Sequence, residues 1–228
     1  MDRESGEGPD RPSAVCGAGR ACAVGNEFGE RQARRDLESF RRRGPDRTTR
    51  WLIEGLTGRG VADLTVLDIG AGVGAVHLEL LRAGASVAVD VDGSPAYVAA
   101  ARDEAARQGV ADRVSHRAGD FVELAPSVEP ADLVALDRVV CCYPDMAALV
   151  RLSVERARRR YGLVYPRDGW WVRAGGAVLN GLARLVRRRT RAYIHRTADV
   201  DAIVRAAGLA PVFRRSTLFW QVVVYERA

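Results

Sequence analysis

The chain contains no lysine: all 35 basic residues are arginines, set against 29 acids for a net charge of +6. An excess carried wholly by arginine reads as GC-rich coding more than as adaptation to nucleic acid. Two dense clusters stand out, Arg156-Ala157-Arg158-Arg159-Arg160 and Arg187-Arg188-Arg189-Thr190-Arg191. They are expected at solvated helix ends, where cations offset the helix dipole; phosphate binding is the alternative use. Long apolar runs are missing too. Nothing approaches the roughly 20 residues that span a bilayer, so no transmembrane segment is expected. The opening Met1-Asp2-Arg3-Glu4 lacks the charged-then-apolar pattern of a secretory signal. A cytoplasmic protein is the expectation. Cysteine is sparse, with Cys16, Cys22, Cys141 and Cys142 only. Their spacing matches no zinc pattern, so no metal is expected and free thiols in a reducing compartment are.

What is present suffices for one good-sized core: 228 residues, 47% apolar. Residues 1–25 are rich in glycine, alanine and polar side chains and are expected to form a flexible tail. Glu27 to Arg43 reads as a helix, broken at Gly44-Pro45-Asp46, with Pro45 opening a second helix to about Leu56. Short apolar strands then alternate with helices: Leu64–Ile69, Val87–Val91, Arg113–Arg117, Asp132–Leu136 and Tyr161–Tyr165. Ser94-Pro95 opens one helix, closed by Gly109, and Pro144-Asp145 opens another, expected to run to about Arg160. Residues 169–191 read as an amphipathic helical insertion with Trp170, Trp171, Val178, Leu182, Leu185 and Val186 as its main apolar positions. Thr197 is expected to cap a helix that closes at Gly208. Two strands, about Ala210–Arg214 and Leu218–Glu226, end the chain. Alternating strand and helix implies a three-layer, doubly wound, mainly parallel sheet, and the final strand pair implies an antiparallel edge strand.

The most informative stretch is Val66-Leu67-Asp68-Ile69-Gly70-Ala71-Gly72-Val73-Gly74. A buried strand runs into a glycine turn where backbone N–H groups can approach a ligand closely. Gly70, Gly72 and Ala75 also satisfy the loose dinucleotide pattern, but an acid before the glycines repels a phosphate and suits a cation. Acid-x-Gly-x-Gly-x-Gly at a first strand end resembles motif I of class I S-adenosylmethionine-dependent methyltransferases. The resemblance covers about Phe28 to the C-terminus. It implies S-adenosylmethionine as cofactor, a seven-stranded Rossmann-like methyltransferase fold, and a single such domain over residues 26–228 with N-terminal cover helices. It places Asp68 at the charged methionine end, with Gly70, Ala71, Gly72 and Gly74 under methionine and ribose.

Ligands of an open parallel sheet sit beyond the strand ends, and here those positions carry acids. Counting forward from Gly74 makes Asp90 the ribose ligand; counting back from Ser94-Pro95 favours Asp92. Asp90 is the expected ligand, with Asp92 a cap or alternate. Gly119-Asp120-Phe121 resembles the family step in which the acid accepts from the adenine amino group and the next residue flanks the ring. Asp137 lines the methionine end by the same resemblance, or pairs only with Arg138 or Arg167.

The acceptor side is expected from the N-terminal helices and the insertion. Asp36 to Gly44 is a lid or a plain cover helix. Arg167 is positioned to hold an acidic group by a bidentate contact. Trp170 and Trp171 are pocket walls or core anchors. Arg191-Ala192-Tyr193-Ile194-His195 resembles, locally, a segment of the magnesium-protoporphyrin O-methyltransferases. That implies methyl esterification of a propionate on a flat, apolar tetrapyrrole, with His195, Tyr193 and Arg167 as candidate catalytic residues. His195 is one of only three histidines; His77 and His116 are expected in core or surface roles. The alternatives are an RNA methyltransferase, a non-catalytic S-adenosylmethionine-binding protein, and an NAD-binding oxidoreductase. Against the first, no Asn/Asp-Pro-Pro-Tyr element follows the fourth strand, and no proline precedes Cys141-Cys142.

Overall fold

A computed structural model describes residues 29–185 and 193–228. The expected tail, with Cys16 and Cys22, and the Arg187–Arg191 cluster lie outside the described residues, as do Val186 and the side chains of Leu182 and Leu185.

The strands are β1 (Val66–Ile69), β2 (Ala88–Asp92), β3 (Val114–Ala118), β4 (Ala131–Asp137), β5 (Ala157–Pro166), β6 (Leu209–Ser216) and β7 (Trp220–Arg227). They form one sheet in the order β3-β2-β1-β4-β5-β7-β6. Neighbours from β3 through β5 pair in parallel; β7 runs antiparallel between β5 and the outer strand β6. The helices are α1 (Glu30–Arg43), α2 (Arg47–Thr57), α3 (Ala75–Arg82), α4 (Pro95–Arg107), α5 (Phe121–Leu124), α6 (Met146–Val154), α7 (Trp170–Leu185) and α8 (Thr197–Ala206).

Side chains alternate across a strand, so a sheet covered on both faces has two cores. Leu133 and Ala135 of β4 join Val222 and Val224 of β7 against α1 to α4. Val134 and Leu136 join Val223 and Tyr225 against α5, α6 and α8. Both faces being apolar explains why the central strands read as continuous hydrophobic runs.

Local chemistry sets the helix ends. Ser94 caps α4 with Pro95 in its first turn, and Asp145 caps α6. Gly109 and Gly208 take positive φ just past α4 and α8. Pro45 does not open α2: Asp46 caps it, its carboxylate accepting from the N–H groups of Thr48 and Thr49. Thr197 is not the cap of α8 but its first residue, its N–H donating to Asp168 at 3.0 Å.

The Arg156–Arg160 cluster departs most from expectation. α6 stops at Val154, and Ala157 already pairs with Ala131, so Arg158, Arg159 and Arg160 belong to β5. Strand alternation turns Arg160 inward, where its guanidinium donates to the carbonyls of Leu56 and Gly60 and pairs with Glu226 at 3.2 Å. Backbone pairing and these contacts outweigh the helical pattern of the sequence. No helix among the described residues is long and apolar enough to cross a membrane.

Candidate active site

Strands β1 to β4 all point the same way, so their C-terminal ends share one edge of the sheet. A cavity of about 540 Å³ opens there, within the range of small-molecule sites. Its floor is the turn from Gly70 to Val73. Gly72 has φ +58° and faces the cavity; a Cβ there would meet nothing nearer than the Tyr97 ring at 3.8 Å. Gly74 is different. It caps α3 with φ +84°, and a Cβ would strike the His77 ring at 2.7 Å. Gly70 and Ala71 line the cavity; Gly74, placed with them by the sequence, does not. Its need for glycine comes from packing behind the turn.

The strand-end acids divide into two layers. Asp68 of β1, Asp90 of β2 and His116 of β3 are register partners, one row across the sheet. That row lies below the edge. Asp68 and Asp90 are fully buried, and neither lines the cavity. Asp68 Oδ2 accepts from the backbone N–H of His77 at 3.2 Å and lies 3.0 Å from its Nδ1. Asp90 Oδ2 lies 2.7 Å from His116 Nδ1, and burial raises the Asp90 carboxyl above its ordinary range. The two imidazoles meet edge to face at 6.3 Å. Strand β2 runs one residue beyond the expected Val91, so Asp92 occupies the edge. Its Oδ2 accepts from Gly72 N–H at 2.9 Å and its Oδ1 from Ser94 N–H at 2.8 Å. Burial raises its carboxyl to about 6. The acid facing the cavity from β2 is therefore Asp92, not Asp90, and Asp68 is held by His77 beneath the turn and does not line the cavity.

Asp120 and Phe121 line the next part of the wall. Asp120 caps α5 and accepts the Tyr143 hydroxyl at 2.9 Å. Asp137, at the end of β4, accepts from Thr49 Oγ1 at 2.5 Å and from Arg138 Nε at 3.0 Å. Burial raises the Asp137 carboxyl. Arg138 bridges onward to Asp46 at 2.5 Å. Burial works against the Asp46 anion, but the Thr49 N–H and Arg138 hold its carboxyl below the usual range. Arg138 sits at φ +62°, a left-handed conformation that costs a non-glycine residue about 1–2 kcal/mol. The Asp137–Thr49–Asp46 contacts hold it there.

From α1, Asp36, Ser39 and Phe40 close the near side, and the Tyr97 hydroxyl donates to Asp36. Val139, Leu149 and Trp220 give the far side an apolar wall. Cys141 and Cys142 also line it, as free thiols with sulfurs 3.7 Å apart. No cluster of three or more metal-ligating side chains occurs among the described residues.

The three residues expected to act on an acceptor are not in this wall. His195 Nε2 lies 3.2 Å from the Tyr143 carbonyl, so Nε2 carries the proton and donates. Burial lowers its pKa. Tyr193 stacks on His195 and donates its N–H to the Cys141 carbonyl at 2.7 Å. Together they brace the segment carrying Cys141, Cys142 and Tyr143. Arg167 lies outside, its guanidinium 5.9 Å over the Trp171 ring. Trp170 and Trp171 are neither pocket walls nor core anchors; both are exposed. Thr49, Asp46, Tyr97 and Tyr143 escaped the sequence reading as site residues. The Asp46-x-Thr-Thr cap gave a signal for α2, but only tertiary contact brings that helix to Asp137.

Residues 66–159 match the model of a methyltransferase domain family. A ribosomal protein L11 methyltransferase of Serratia proteamaculans is 36% identical over 93 residues, 40% of this chain and 29% of the relative. The chain thus spans less than a third of that relative's length. Among solved structures, magnesium protoporphyrin IX methyltransferase from Synechocystis PCC 6803, with bound S-adenosylhomocysteine, superposes with a TM-score of 0.70. Identity is 22%, covering 91% of this chain and 99% of the other. The [4+2]-cyclase SpnF superposes with a TM-score of 0.68 at 13% identity, over 92% of this chain and 97% of that one. The shared fold is therefore the seven-stranded Rossmann-like methyltransferase fold, and the fold alone does not fix a reaction.

Proposed function

We propose, for a chain whose residues 66–159 match the model of a methyltransferase domain family, that it binds S-adenosylmethionine and transfers its methyl group to the oxygen of a small acceptor. One observation carries the cofactor. The described cavity wall presents five carboxylates, Asp36, Asp46, Asp92, Asp120 and Asp137, against one guanidinium, Arg138. Such a wall opposes a pyrophosphate and suits a ligand bearing a sulfonium and an ammonium.

The residues present fit that ligand. Gly72 leaves open space where a side chain would stand. Asp92 takes the ribose hydroxyls, since each carboxylate oxygen has lone pairs beyond those used by Gly72 and Ser94. Asp120 accepts from the adenine amino group, with Phe121 beside the ring. Asp137, ordered by Thr49, faces the ammonium. When bound, the sulfonium supplies an electrophilic methyl carbon for in-line displacement. The chain's own work is alignment and charge complementarity.

The acceptor is read as an apolar, acidic molecule such as a tetrapyrrole propionate. Phe40, Val139, Leu149 and Trp220 offer it an apolar wall, and Arg138 is the cation facing the cavity. A carboxylate with a reference pKa of about 4 needs no general base at neutral pH, which agrees with a histidine committed to a backbone carbonyl. The structural likeness to the magnesium protoporphyrin enzyme and the Ala192-Tyr193-Ile194-His195 step support this acceptor. The L11 relative matches only 40% of this chain and 29% of its own length, so its substrate does not transfer. Incubation with S-adenosylmethionine and a metallated protoporphyrin should give a base-labile monomethyl ester by mass spectrometry. Cofactor binding with no ester would remove this acceptor. Methylated RNA formed in a salt-sensitive reaction would favour the polynucleotide alternative.

A further inference from the structure

We propose that the face formed by the start of α7 and the turn between β6 and β7 docks on an anionic membrane surface. Four large apolar side chains stand exposed there: Trp170 (77%), Val178 (62%), Leu218 (62%) and Phe219 (53%). Single exposed apolar residues are ordinary, but a joined group marks an interaction surface. These are joined. The Arg167 N–H donates to the Phe219 carbonyl at 2.8 Å, and its guanidinium lies over Trp171. Trp171 in turn meets Trp170 edge to face at 5.9 Å. The two segments are thereby tied into one surface.

Helix α7 has a separate face for the protein. Val172 is buried, and a Cβ on Gly176 would strike Ile194 at 2.5 Å. Trp171 and Val178, seven residues apart, share a different, outward face. Among the described residues from Gly169 to Ala198, Arg173 and Arg196 are exposed and no acid occurs. The flanking acid, Asp168, is committed to the N–H and hydroxyl of Thr197.

Tryptophan with aliphatic side chains and arginine, on an amphipathic helix, is the chemistry of a membrane interface. The rings sit among headgroups, the aliphatic groups enter the acyl boundary, and the guanidinium groups pair with lipid phosphates. A polynucleotide would use the arginines and could stack on the indoles, but offers Leu218 and Val178 nothing. The surface also adjoins the cavity, since Trp220, next to Phe219, lines it. Docking would place the cavity's apolar wall beside the bilayer. The inference does not depend on which acceptor is methylated.

The full chain should co-sediment with vesicles of mixed phosphatidylglycerol and phosphatidylcholine, and only weakly with phosphatidylcholine alone. The double variant W170S/F219S should lose at least about tenfold in partitioning, as expected when apolar insertion is removed. Arg173→Glu should weaken binding to the anionic vesicles alone. S-adenosylhomocysteine affinity by calorimetry should stay within about twofold for both variants, showing an intact fold. Equal partitioning of wild type and W170S/F219S, or no binding to phosphatidylglycerol, would overturn the proposal. So would tight polyuridylate binding that Arg173→Glu abolishes, since the face would then serve a polynucleotide.

Discussion

The backbone N–H of Gly72 donates to Asp92 across 2.9 Å, tying the glycine turn after β1 to the last residue of β2. Asp90, two residues earlier, is instead locked to His116 at 2.7 Å inside the sheet. The two acids should therefore separate in experiment. Asp92→Ala is expected to weaken S-adenosylhomocysteine binding by about 1.5–3 kcal/mol, the scale of hydrogen bonds to a charged group. Asp90→Ala should leave affinity nearly unchanged but cost about 1–3 kcal/mol of stability by stranding the buried His116 ring. Calorimetry and urea unfolding of both variants decide it. The opposite pattern would return the ribose to Asp90.

The same carboxylate gives a pH signature. Burial raises Asp92 from 3.8 to about 6, with Asp90 and Asp68 adding repulsion. Between those values the folded protein holds a proton that the unfolded chain has released. This group's contribution to stability is thus present below about pH 4 and lost as pH rises through 6. Cofactor binding runs the other way, because the ionised carboxylate is the better acceptor for ribose hydroxyls. Affinity should climb as pH rises through about 6 and level off above it. Asp92→Asn should flatten the step. An unaltered pH profile in that variant would assign the titration to another group.

Gly72→Val tests the floor of the cavity. Its φ of +58° disfavours any L side chain, at about 1–2 kcal/mol, and the new methyls would project toward Tyr97 and the ligand space. The sheet beneath is untouched. A shift in Tm of a few degrees with at least about tenfold loss of S-adenosylhomocysteine affinity is expected. Full affinity would remove the glycine turn from the site.

Much of this was legible in the sequence for definite reasons. Short continuous apolar strands, Ser94-Pro95 and the positive-φ glycines act locally, so the element order could be read along the chain. Asp120 and Asp137 line the cavity because they stand at strand ends whose position the pattern fixes. Asp90 was misplaced because one residue of strand length decides whether a carboxylate stands at the edge or one pleat below it. Asp68 was misplaced because His77, nine residues on, folds back onto it. Thr49 was invisible because α2 reaches β4 only through tertiary packing. The arginines of β5 misled because helical charge patterns say nothing of a partner strand.

The sequence offers His195 as a rare titratable side chain before the last helix. Its geometry now gives it a positioning role. Nε2–H donates to the Tyr143 carbonyl at 3.2 Å, and the Tyr143 hydroxyl holds Asp120 at 2.9 Å in the cavity wall. Removing the imidazole frees the segment carrying Cys141, Cys142 and Tyr143 without touching Asp92 or the glycine turn. His195→Ala should weaken S-adenosylhomocysteine binding about three- to tenfold, roughly 0.7–1.4 kcal/mol, because Tyr143 no longer holds Asp120 at the adenine subsite. Turnover of the acceptor should fall at least about tenfold, the scale of a disturbed alignment. His195→Gln, which can still donate an N–H to the same carbonyl, should recover most of that loss. Burial lowers the histidine's pKa, so it is already neutral above about pH 6.5, its reference value. Wild-type turnover should carry no His195 titration there. A base role would show as a kcat step with a pKa near neutrality, abolished equally in His195→Ala and His195→Gln.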